Sequence, residues 1–496
     1  MNGHGKSDSP VVPAKLPNNA GRPVAEAVEG RGLPKGNADS ATRPAHSGGT
    51  GTSNGLDRVR QAARRDSKTQ FTSLLHHVSV DRLRAAYRAI NPKAAVGVDQ
   101  VTWQQYGRDL EANLEDLYGR IHRGSFKATP SRRVYIPKSD GRLRPLGIAS
   151  LEDKVVQRAV VEVLNAVYET DFVGFSYGFR PGRGQHDALD ALAVGLTRKK
   201  VNWVLDADIR SFFTEIDREW MLRFLEHRIG DKRVLRLIRK WLNAGIIEDG
   251  NWSDEGKGTP QGASLSPLLA NVYLHYVFDL WAKAWRNRHA NGDMIILRFA
   301  DDVVVGFQHE RDARRFADDL RQRLAKFGLE LAEEKTRLIE FGRFAADTRR
   351  RRGLGKPETF TFLGFVHICS TTRNGKFLLR RHTIAKRMRD KLRELKLAIK
   401  RRIHLPIPVQ AAWLRSVVRG YFAYYAVPTN SQAMSRFRFE VTGLWQRALK
   451  RRSQRTRLTW QRMRTIADAW IPRAHVQHPW PNERFDGRTQ GRSPVR

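Results

Sequence analysis

One cysteine, Cys369, is all that the 496 residues contain, which excludes an internal disulfide framework and any zinc site built on paired cysteines. It lies in the apolar stretch 362–369 and reads as a buried packing residue. Long hydrophobic runs are absent as well: none approaches the ~18–20 residues needed to span a bilayer. The N-terminus lacks the apolar core of a secretory leader, so a cytoplasmic location without a membrane partner is expected. Acidic residues are the third shortage. Against 89 Lys and Arg stand 51 Asp and Glu, a net charge of +38. Such an excess repels itself in a compact fold unless a polyanion is the usual partner, and nucleic acid is the leading candidate. A polybasic membrane-surface protein is the alternative, with no lipidation motif or amphipathic anchor to support it. Charge thus names a class of partner and no activity.

What is present centres on residues 294–307, where two β-branched apolar runs flank Ala300-Asp301-Asp302. The runs read as buried strands and the break as a tight turn. Two adjacent carboxylates at the tip of a buried hairpin repel, and burial raises their cost. A divalent cation removes that conflict, because hard carboxylate oxygens suit Mg²⁺. An exposed turn in which Asp merely favours the bend is the other reading. A second apolar strand, in residues 202–213, also ends in carboxylates, Asp206 and Asp208. Asp208 precedes Asp301 by 93 residues, so only a folded sheet brings them together. In-line phosphoryl transfer by two metal ions calls for such convergence.

The remainder divides by composition. Residues 1–55 are rich in Gly, Pro, Ser, Ala and Asn, and read as a disordered tail. Residues 56–130 show helical periodicity (Leu74, Leu75, Val78, then Leu83, Ala86, Tyr87, Ile90) with a basic opposite face. Residues 131–370 hold the strands just described. They open with an alternating hairpin whose turn is Asp140-Gly141, with Lys138 and Arg144 on opposite arms. Those two cations could reach one triphosphate, or be solvated surface charges. A helix is expected from Asp153, then a glycine-rich basic loop with Arg180 and Arg183 suited to template or nucleotide contact. Residues 218–246 read as helical, Ser266 as an N-cap and Pro267 as the first helical residue. Residues 311–327 read as an amphipathic helix. From 371 to 475 the chain reads as basic helices. Residues 380–470 hold 23 Lys and Arg against 4 Asp and Glu, half the chain's net charge. The aromatics there (Tyr421, Phe422, Tyr424, Tyr425, Trp445, Trp460) read as core before stacking platforms. Residues 476–496 read as an irregular tail.

Phe299-Ala300-Asp301-Asp302 between hydrophobic strands, and Asp208-Ile-Arg-Ser-Phe-Phe213, resemble two palm motifs of reverse transcriptases. Gly97-Val-Asp99, residues 177–184, 260–271, 328–336 and 360–365 follow in the order that bacterial group II intron-encoded reverse transcriptase/maturases show. The resemblance covers about residues 75–370 and is looser beyond, at residues 419–425 and 457–460. It implies an α+β right-hand polymerase: fingers, a palm with an antiparallel sheet, and an α-helical thumb. It further implies that Asp208, Asp301 and Asp302 are catalytic and hold two Mg²⁺. Phe213 would exclude a ribose 2′-hydroxyl. Lys138, Arg144 and Gln261 would meet the incoming dNTP. Arg180, Arg183, Gly262 and Gly364 would meet template or primer, and Arg451 and Arg452 intron RNA. The implied partners are a group II intron RNA held as a ribonucleoprotein, a DNA target and primer, and dNTPs, with the protein nucleoid-associated when on DNA. Many members carry an HNH-type endonuclease with cysteine pairs. No cysteine follows Cys369, so no second-strand cleavage is expected. Another bacterial reverse transcriptase, of the defence or diversity-generating kind, and a splicing-only maturase remain as alternatives.

Overall fold

The computed structural model describes residues 52–137, 143–248, 251–254, 256–259, 262–452 and 457–489. The expected disorder of 1–51, the Asp140-Gly141 turn, Lys138 and Gln261 lie outside them. Eleven strands are described: β1 (Ser131–Pro137), β2 (Leu143–Ile148), β3 (Trp203–Asp208), β4 (Ile246–Glu248), β5 (Asn251–Ser253), β6 (Met294–Phe299), β7 (Asp302–Phe307), β8 (Arg337–Glu340), β9 (Phe360–Phe362), β10 (Phe365–Thr371) and β11 (Phe377–Thr383).

The central sheet has the order β6-β7-β3-β8, and every pairing in it is antiparallel. Both of its faces are covered, which is why its strands read as near-continuous apolar runs rather than alternating ones. Leu205, Ala207, Ile296, Val303 and Val305 join one core, with the helices Leu151–Asp171, Lys232–Leu242, Ser266–Leu274 and Glu310–Ala325. Val204, Ile295, Leu297, Val304 and Ile339 face a second core. There they meet the helix Gln185–Arg198, the sheet β9-β10-β11, and the C-terminal helices Ile407–Tyr425, Ser431–Lys450 and Trp460–Trp470.

The periodic residues of the N-terminal region, Leu74 to Ile90, are buried in the first core with the central sheet. That region's first helix, Thr52–Arg65, begins inside the stretch expected to be a tail. β1 and β2 form the expected hairpin, and β4 extends it in parallel to β1. Residues 218–246 split into two helices, Arg218–Glu226 and Lys232–Leu242, because Asp231 caps the second with its side chain. Ser266 is already the first helical residue and Pro267 the second, one step from expectation. Cys369 is only partly buried, and its sulfur accepts from the Gly342 N–H at 3.4 Å.

The C-terminal segment corrects the sequence reading. Residues Pro481–Thr489 form a helix instead of an irregular tail. Phe485 anchors it in the second core, Arg484 pairs with Asp190, and Asp486 pairs with Arg198 at 2.6 Å. Both partners lie on the helix Gln185–Arg198, so the segment is helical because of contacts made nearly 300 residues away. Tyr421, Phe422, Tyr424, Tyr425 and Trp445 are core residues, as the sequence suggested.

Candidate active site

The carboxylates collect at one end of the central sheet. In the β3–β7 register Asp208 stands directly opposite Asp302. Residues so paired on antiparallel strands have Cα atoms about 4.5–5.5 Å apart. β6 and β7 close through Ala300 and Asp301, since Phe299 pairs with Asp302. Two-residue hairpin turns that match strand twist require positive φ, and Ala300 adopts φ +56°. For a residue with a Cβ this is an uncommon conformation, and it is held by its neighbours. The Tyr177 N–H donates to the Arg298 carbonyl and the Arg298 N–H to the Phe175 carbonyl, both at 2.9 Å. Residues 175–178 therefore run beside β6 and reach the turn. Gly178 sits so close there that a Cβ on it would collide with the Ala300 backbone.

Asp208 is buried, and its Oδ2 accepts from the Lys335 ammonium at 2.6 Å. Lys335 arrives on a loop laid along the end of β3, where the Ala332 N–H donates to the Asp208 carbonyl at 2.8 Å. The partner of Lys335 is thus the first of the three candidate site carboxylates. Among the described residues no three Asp, Glu, His or Cys side chains are grouped as a ready metal-ligand set. What fits a hard divalent cation is the donor chemistry, three carboxylates on one hairpin end and the strand beside it. The Lys335 ammonium supplies positive charge to one of them.

Phe213 follows on the segment after β3. It is half-buried, edge to face with Phe212 at 5.3 Å, and its carbonyl accepts from the Thr259 N–H at 2.9 Å. Arg144 lies on β2, half-buried. Gly262, at φ +108°, packs on the same strand, where a Cβ would lie 2.9 Å from the Gly147 carbonyl oxygen. Gly364 forms a left-handed turn with Leu363 between β9 and β10, and the Tyr424 hydroxyl donates to the Leu363 carbonyl at 2.7 Å. Arg451 and Arg452 are exposed at the end of the helix Ser431–Lys450, on an element separate from the carboxylates.

Arg180 and Arg183 differ from the expected nucleic-acid contacts. Arg180 is buried, paired with Glu169 at 3.0 Å and bonded to the Val173 and Ser176 carbonyls at 2.8 Å. Arg183 donates to the Gly174 carbonyl at 2.5 Å and lies over the Tyr177 ring. Both guanidiniums fold their own loop against β6. Sequence reasoning passed over Arg298, although it is the single charge in the apolar strand β6. That is the same signal that drew attention to the aspartates.

Residues 136–367 match the family described as reverse transcriptase (RNA-dependent DNA polymerase). The chain is 38% identical over 182 residues to protein YkfC of Escherichia coli (strain K12), covering 36% of this chain and 48% of that one. It is 31% identical over 222 residues to the group II intron-encoded protein LtrA of Lactococcus lactis subsp. cremoris, covering 44% of this chain and 37% of the relative. To nuclear intron maturase 3, mitochondrial, of Arabidopsis thaliana it is 28% identical over 162 residues, 32% of this chain and 21% of the relative. The chain spans less than half the length of each of these relatives.

Proposed function

We propose that the chain, which matches the reverse transcriptase family over residues 136–367 and has group II intron proteins among its relatives, is the RNA-directed DNA polymerase of a group II intron. The observation that carries the reading is the register that sets Asp208 opposite Asp302, with Asp301 in the adjoining turn. In this reading the central sheet is the palm, the β1–β2 hairpin with its helices the fingers, and the C-terminal helices the thumb.

Asp208, Asp301 and Asp302 would hold two Mg²⁺, which supply Lewis acidity for nucleotidyl transfer when bound. The protein's own groups do the rest. Lys335, paired with Asp208 at 2.6 Å, orients that carboxylate. Phe213 stands beside the sugar of the incoming nucleotide and excludes a 2′-hydroxyl. Arg144, on β2, meets its phosphates together with Lys138, and Gln261 takes part in binding the nucleotide. Gly262 and Gly364 let template and primer approach the backbone closely. The basic C-terminal helices, with Arg451 and Arg452 at one end, bind the intron RNA. That binding supports splicing, as the names of the intron-linked relatives suggest, and with DNA synthesis it supports intron mobility.

Purified protein should extend a DNA primer on an RNA template with dNTPs, and chelation of divalent cations should stop it. Asp301→Ala should abolish extension at unchanged RNA affinity. Undiminished extension by that variant would refute the assignment.

A further inference from the structure

Arg298 is wholly inside the protein, and so is the carboxylate that faces it, Asp279; both side chains are 0% exposed. The pair is bidentate, with Nε donating to Oδ1 at 2.7 Å and Nη2 to Oδ2 at 2.6 Å. The other donors reach Asn271 Oδ1 at 3.0 Å, Ser176 Oγ at 2.7 Å and the carbonyl of Ala300 at 3.0 Å. All five N–H groups of the guanidinium therefore have acceptors. Asn271 extends the network by donating to the Gly178 carbonyl at 2.7 Å.

A buried ion pair is a poor stabilising device, because desolvation cancels most of the attraction and an apolar pair of similar size often does as well or better. What distinguishes this one is where its bonds end. One holds the carbonyl of Ala300, the turn residue at φ +56° that precedes Asp301. Others hold Ser176 and, through Asn271, Gly178, the segment packed on that turn. Asp279 closes a π-helical turn, His275–Asp279, between the helices Ser266–Leu274 and Leu280–His289. The wider turn shifts the register of the helix after Asn271, and π-turns of this kind are frequent at functional sites.

We propose that Arg298, clamped by Asp279, Asn271 and Ser176, is a positioning residue that fixes the Ala300-Asp301 turn and so sets Asp301 and Asp302 against Asp208. This rests on the polymerase reading above. Arg298 touches no reacting atom. It acts through the orientation of the Ala300–Asp301 peptide, and a shift of about 1 Å there costs on the order of 100-fold in turnover.

The decisive variant is the double replacement Arg298→Met with Asp279→Leu, which removes the tether without leaving a buried unpaired charge. In the full-length protein it should keep its melting temperature and RNA affinity, and leave KM for dNTP within about twofold, while kcat falls on the order of 10- to 100-fold. Hydrogen exchange of the segment 299–303 should speed up, with β3 and β8 unchanged. A folded double variant with wild-type kcat and wild-type exchange at 299–303 overturns the proposal. Should that protein not fold, Asn271→Ala, which leaves the ion pair intact, carries the test. A several-fold loss of kcat with faster exchange at 299–303 supports the proposal, and wild-type values of both overturn it. Asp301→Ala run alongside separates the two claims. If it too is fully active, the polymerase reading fails; if it alone is inactive, only the positioning role fails.

Discussion

In the proposed function Phe213 is the single side chain that would decide between two substrates. Its ring is half-buried and braced by Phe212, and its backbone is held at Thr259, so it cannot swing aside at little cost. Replacing it with alanine should lower the preference for dNTP over rNTP by about 10- to 200-fold, the range for losing one steric contact. Competing single-nucleotide incorporations measure this, and an unchanged ratio would leave Phe213 as a core residue. The same scale shows what a sequence reveals of a site. Asp208, Asp301 and Asp302 stand out because carboxylates ending apolar strands have few explanations. Lys335 was visible as a cation, but its partner emerged only when a loop 127 residues downstream was laid on β3. Arg180 and Arg183 looked like ligands for phosphate because nothing local signals that carbonyls of their own loop take up their donors.

Elements were legible wherever one local pattern sufficed. The strands β3, β6 and β7 and the helix Glu310–Ala325 fall where the apolar pattern put them. The helix Pro481–Thr489 did not, since one buried phenylalanine and two ion pairs with distant residues hold it. Nor was the π-turn His275–Asp279 legible, because its wider register comes from packing, not propensity. Burial in that turn pushes the His275 imidazole down to about 4 from its ordinary 6.5. The unfolded chain therefore binds a proton below pH 6.5 that the fold refuses until about pH 4. Stability from this group is complete above pH 6.5 and falls as the pH drops toward 4, by about 3 kcal/mol in all. Urea melts at pH 7.5 and pH 4.5 should show the loss, and His275→Phe should reduce it. An equal pH dependence in that variant would assign the acid sensitivity elsewhere.

Across the whole molecule the candidate catalytic carboxylates and the basic C-terminal helices are separate parts, and their proposed functions should separate too. Asp302→Ala should abolish DNA synthesis and leave RNA binding and RNA splicing intact. Arg451→Ala with Arg452→Ala should weaken RNA binding several-fold and flatten its salt dependence, because phosphate contacts release counterions. Equal loss of both activities in a folded Asp302→Ala protein would contradict that division. The molecule's class was readable from charge and motif order, whereas the joining of the N-terminal helices to the central core was not, since no local pattern encodes it. In the proposed function three carboxylates, two of them paired across β3 and β7, bind metal together. Electron paramagnetic resonance of Mn²⁺ with protein, primer–template and a non-hydrolysable dNTP tests it most directly. Tight Mn²⁺ binding is expected, largely removed by Asp208→Asn and retained by Asp206→Asn, two residues upstream. Unchanged binding by the Asp208→Asn protein would contradict it.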